Sequence, residues 1–232
     1  MRTMKALGLM LAYPDEGLLL AQPGLLLAIQ EEGVLGRARM AQLRRFVTEL
    51  RAMDAIEVEE RYVGLFDRSR QVSLYLFEHV HGDSRDRGMA MVNLRDLYAS
   101  AGLEADAREL PDYLPMYLEY LSMLPADEAM RGLSDVGPIL QSVHARLVER
   151  GSGYAVLFAA LLDLAGLPPA APGEAPPADD TPEALDREWE ETAVTFGPEN
   201  DPARAGGCAR ADAMLDRMKT LDATKSGGEA RA

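Results

Sequence analysis

Apolar residues recur at helical spacing along most of the chain, and no stretch shows the two-residue alternation of a half-buried strand. The spacing predicts a first helix that ends before Pro14, since the residue ahead of a proline is pushed out of the helical region. Between Arg39 and Met53, the residues Met40, Leu43, Val47 and Leu50 form one stripe. Asp54 is placed to cap the next helix, through Glu57 to Phe66. From Arg85 to Ala101, one face carries Ala90, Leu94, Leu97, Tyr98 and Ala101, and Gly102 stops it. A helix from about Pro111 to Leu124 ends at Pro125. Ser134 to Arg150 buries Val136, Ile139, Leu140, Val143 and Leu147. After Gly151-Ser152-Gly153, the run Tyr154 to Ala165 is apolar almost all round, as a central helix would be, and Gly166 closes it.

The pattern breaks at Leu167. Pro168, Pro169, Pro172, Pro176 and Pro177 mark a linker. Beyond it, a short helix from Pro182 to Thr192 would carry the sole tryptophan, Trp189. Between Glu174 and Asp201 there are ten acidic residues against one basic residue, Arg187, so this part is strongly acidic. Thr220 to Ala232 has the composition of disorder. The expected organisation is therefore all-α: a single helical-bundle domain over residues 1–166, then a Pro/Ala-rich linker and flexible acidic tail over 167–232.

The formal net charge of −14 argues against nucleic acid, which needs a basic face. It favours a partner carrying Arg or Lys, although acidity also serves solubility alone. The single cysteine, Cys208, permits no disulfide within the chain and suits a reducing compartment. Leu7 to Ala12 is short for the apolar part of a signal peptide, and no run approaches the length of a membrane span. A soluble, cytoplasmic protein is expected.

Two constellations stand out. Glu78, His79, His81 and Asp83 invite a metal reading, and with it a metal-dependent enzyme. On a helix, however, His79 and His81 point to opposite sides, so histidines that serve structure at a helix end are the favoured reading and no metal site is assigned. The second constellation lies after Pro111. If helical from there, Asp112, Pro115, Met116 and Glu119 share a face, with Tyr113, Tyr117 and Tyr120 alongside. Rings beside separated carboxylates suit a basic, amphipathic peptide, and a core helix with a solvated acidic edge fits the pattern equally well. The candidate peptide-contacting residues are Asp112, Tyr113, Leu114, Met116, Tyr117, Glu119 and Tyr120. No catalytic triad, phosphate loop or dinucleotide fingerprint is present.

The run Leu74 to Gly88, with Phe77, Glu78, His79, His81, Gly82, Asp83, Arg85 and Arg87 at its centre, resembles a signature of the NarJ-type nitrate reductase chaperones, also called delta subunits. Glu109 to Pro115 followed by Leu118-Glu119-Tyr120-Leu121 resembles a second. Leu11 to Asp15 and Glu188 to Phe196 extend the likeness, which departs at Thr192-Ala193, where a pair such as Glu-Pro is expected. The resemblance implies an all-helical redox-enzyme maturation chaperone without catalytic residues or a cofactor of its own. It implies that the chain binds the N-terminal segment of the apo catalytic (alpha) subunit of nitrate reductase. Release would follow insertion of the molybdenum cofactor, before membrane docking. A chaperone of the same class serving another molybdoenzyme is the sister reading. Histidine ordinarily titrates near neutral pH, and the sequence leaves open whether His79 and His81 make the grip on the partner pH-dependent.

Overall fold

The computed structural model describes residues 1–80, 85–103 and 109–169, with the side chains of Arg85 and Asp86 excepted. The readings for most of the linker, the acidic tail, Trp189, Cys208 and the second half of the histidine motif lie outside these residues. Among the described residues the architecture is all-α: α1 (Arg2–Leu11), α2 (Glu16–Glu32), α3 (Arg37–Ala52), α4 (Ala55–Phe66), α5 (Arg85–Ser100), α6 (Leu114–Met123), α7 (Ala126–Asp135), α8 (Gly137–Glu149) and α9 (Ala155–Ala165). Short 3-10 turns at Arg70–Val72 and Leu76–His79 lie between α4 and α5.

Several ends follow from local chemistry. The Asp54 carboxylate accepts from the Ile56 amide at 2.9 Å and starts α4. Asp15 does the same for α2, accepting from Leu18 at 2.7 Å. Gly166 takes φ of 68°, a left-handed position that glycine adopts without strain, and stops α9. The apolar stripe of α3 is buried as its spacing predicts, at Met40, Leu43, Val47 and Leu50.

Three elements differ from the sequence pattern. α2 has no counterpart in it, because its residues Glu16–Glu32 carry leucines on every side and include Pro23. Only Gln22 and Ile29 of α2 are fully buried, while Leu20 and Leu27 stay 73% and 55% exposed. The stretch Ser134 to Arg150 is not one helix: α7 ends at Asp135 and α8 begins at Gly137. The break lets Leu167 fold back against Gly137, where an added Cβ would fall 2.2 Å from the leucine Cδ1. The third difference is the start of α6, at Leu114 rather than Pro111.

α9 is the hub. It packs on α8, α7, α3 and α1, and Leu157, Ala160, Leu161 and Leu162 are fully enclosed. Around its start, Phe46, Tyr62, Phe66 and Tyr154 form an aromatic cluster with centroids 4.9–6.0 Å apart, edge-to-face except for the tilted Tyr62–Phe66 pair. α1 lies against α6, and Gly8 permits the close approach: a Cβ there would sit 3.1 Å from the Pro115 carbonyl and 3.2 Å from Leu118 Cβ. Gly8→Val is therefore expected to overpack this contact and cost about 1–3 kcal/mol, read as a lower urea midpoint.

Candidate functional site

Two signature segments, far apart in sequence, meet in the fold. Tyr75 and Tyr113 form an isolated antiparallel bridge. The Leu76 amide donates to the Asp112 carbonyl at 3.0 Å, and the Leu114 amide donates to the Leu74 carbonyl at 2.8 Å. The two tyrosine rings pack at a tilt of 38° with centroids 5.4 Å apart. This pairing turns Asp112 inward. Its Oδ2 accepts from the Phe77 amide at 3.0 Å, and the residue is wholly buried. Burial raises its pKa to about 6; the Phe77 hydrogen bond and the nearby Arg87 charge oppose that rise. Oδ1 finds no donor among the described residues.

The histidine motif sits beside this knot. Phe77 is fully buried, and Glu78 approaches Arg87 of α5 at 3.9 Å. His79 Nε2 lies 2.9 Å from the Ser73 carbonyl, which can only accept, so that nitrogen carries the proton. Burial lowers the His79 pKa, partly countered by this hydrogen bond and by Glu78. His81, Gly82 and Asp83 lie outside the described residues, and Arg85 is placed only as the first residue of α5. Among the described residues no three His, Cys, Asp or Glu side chains could hold a metal ion together.

On the outer side of the knot, α1 and α6 border a groove of about 200 Å³. Lys5, Gly8, Leu9 and Ala12 form one wall; Tyr113, Pro115, Met116 and Glu119 form the other, with Leu103 and Glu109 also lining it. Lys5 Nζ donates to Glu119 Oε1 at 2.7 Å. Glu109 accepts from the Tyr75 hydroxyl at 2.7 Å. Tyr113 is half-buried, its hydroxyl 3.3 Å from that of Tyr62, and burial pushes its pKa up to about 12, so the phenol stays neutral. The groove thus offers apolar surface, a phenol and two carboxylates, a set able to bind a chain with apolar and cationic side chains.

Of the seven residues grouped from the sequence, the structure brings Tyr113, Met116 and Glu119 to this groove, Met116 with 9% of its surface exposed. Asp112, Leu114, Tyr117 and Tyr120 are interior. The Tyr117 hydroxyl donates to the Gly132 carbonyl at 2.9 Å, while Tyr120 packs against Tyr98 with centroids 5.3 Å apart. Asp112 precedes α6 and so does not share a helical face with Glu119. The sequence pattern assigned no groove role to Lys5, Leu9, Ala12, Leu103 or Glu109, although Ala12 and Glu109 lie within segments of the family likeness. One signal was available: Gly8 and Ala12, small and four residues apart, mark a helix face that another helix can approach closely.

Comparison with known proteins gives the relationship. A family model described as nitrate reductase delta subunit matches residues 35–160. The chain is similar to the nitrate reductase molybdenum cofactor assembly chaperone NarJ of Escherichia coli strain K12, with 48% identity over 192 residues, 81% of each chain. It is similar to the probable chaperone NarW of the same strain, with 43% identity over 209 residues, 88% of this chain and 87% of the relative. The probable chaperone NarJ of Bacillus subtilis strain 168 shares 29% identity over 160 residues, 69% of this chain and 86% of that one. Matching over more than half its length, with relatives this similar across most of theirs, the chain belongs to the nitrate reductase delta subunit family.

Proposed function

We propose that the chain is a molybdenum cofactor assembly chaperone for nitrate reductase. It holds the N-terminal segment of the apo catalytic subunit in the groove between α1 and α6 while the cofactor is inserted, and acts by binding alone in the cytoplasm. The observation that carries this placement is the groove itself, a short apolar trough with Glu109 and Glu119 on its lining in a chain of net charge −14. Apolar side chains of the client bury against Leu9, Met116 and the Tyr113 ring. Client Arg or Lys meets the carboxylates, which steer encounter and fix register. Among the described residues no helix is long and apolar enough to cross a membrane.

Calorimetric titration with the N-terminal peptide of the catalytic subunit tests this. Binding should weaken as salt rises, because the groove carboxylates are open to solvent screening. Changing both Glu109 and Glu119 to glutamine should reduce affinity by about five- to tenfold at low salt. Affinity unaltered in the double amide variant would move the client to another surface, and absence of binding to the wild-type chain would remove the peptide reading.

A further inference from the structure

We propose that Lys5 fills the cation position of the groove when no client is bound, so that a client's basic side chain must displace it from Glu119. This rests on the reading of the groove as the client site and adds a residue that sets its affinity and selectivity.

Lys5, Gly8, Leu9 and Ala12 follow helical spacing, so the Lys5 side chain emerges from the same face of α1 that forms a groove wall. Its ammonium crosses to Glu119 on the opposite wall at 2.7 Å. The two side chains are 53% and 40% exposed. Ion pairs so open to water are held weakly, and an incoming cation can exchange for the resident one at little cost. A chain carrying Arg or Lys makes the exchange. A chain with only apolar groups gains nothing from Glu119 and must pass an ammonium that would then lose its partner. Lys5 thus works against peptides that are apolar without being basic, the commonest wrong ligands for such a trough.

The test is a binding cycle on the full chain, using the N-terminal peptide of the catalytic subunit at low salt. Lys5→Met is expected to tighten binding about two- to fivefold, the range that an exposed ion pair supports. In a Glu119→Gln background the same change should have no effect. Arg131→Met removes an equal charge from α7, outside the groove, where Arg131 pairs with Asp127 at 3.2 Å. It should leave affinity within the error of the wild type. Circular dichroism melting of each variant checks that the fold is intact. Unchanged or weaker binding by Lys5→Met overturns the role of Lys5 while leaving the groove as client site. A gain that persists with Glu119→Gln, or that Arg131→Met reproduces, also overturns it, since bulk charge would then be the cause. No binding by the wild type or by Lys5→Met removes the client reading itself.

Discussion

Alanine in place of Tyr117 is expected to lower stability by about 3–5 kcal/mol, the largest effect of any single change considered for this fold. The Tyr117 ring is fully enclosed at the centre of α6, and its centroid lies 6.3 Å from that of Tyr120. Truncation leaves a cavity that surrounding helices cannot close, because α1 is already as near as Gly8 allows. It also strips the Gly132 carbonyl of its donor, a buried polar group that then lacks compensation. Tyr117→Phe separates the two contributions: it keeps the ring and loses only the hydrogen bond, at about 1–2 kcal/mol. Urea denaturation reads both values. If alanine cost no more than phenylalanine, the ring would not be part of the core.

The second large effect is a pH dependence centred on Asp112. Its pKa is raised from 3.8 to about 6 in the folded chain, chiefly by burial. The folded state therefore binds the proton more tightly than the unfolded state. Below 3.8 both states are protonated, and above about 6 both are ionised. Between these values the unfolded chain gives up its proton first, so stability falls as pH rises, by about 3 kcal/mol in total. This is the reverse of the usual salt-bridged aspartate. Asp112→Asn does not titrate and keeps an acceptor for the Phe77 amide. The stability of this variant relative to wild type should thus climb by about 3 kcal/mol from acid to neutral pH, measured by denaturant unfolding across a pH series. A pH-independent difference would place the carboxylate in contact with water.

What the sequence alone revealed, and what it concealed, follows from the range of the interactions involved. α3, α4 and α9 were readable because a stripe, a cap or a stop lies within each one: the run from Met40 to Leu50, the Asp54 carboxylate, the left-handed Gly166. α2 was hidden because leucines on all sides leave no polar face to define a period. Asp112 was misplaced onto a helix face because its true orientation comes from Leu74 and Leu76, more than thirty residues earlier, which capture the backbone at Asp112 and Leu114. Tyr117 and Tyr120 read equally as groove wall or core, and packing across α6 decides for core. Tyr113 stays half-buried at the groove, while Met116 lines it from the core with 9% of its surface exposed, on the stretch around Pro115 that α1 approaches closely. The family likeness was visible in the two signatures. The structure adds that these segments bond to each other beside the groove, a relation that no local pattern contains.

The contact between α1 and α6 has a consequence for how the chain is made. Lys5 and Glu119 stand 114 residues apart, so α1 waits for one of its two main neighbours until more than a hundred further residues have been synthesised. At about 5–20 residues per second, that interval lasts roughly 5–25 s. Throughout it, the side of α1 that will meet α6 is open to other nascent chains and to the cell's folding helpers. The proposed guardian of another protein's newly made segment thus itself contains a helix in need of shelter while its partner is still being made.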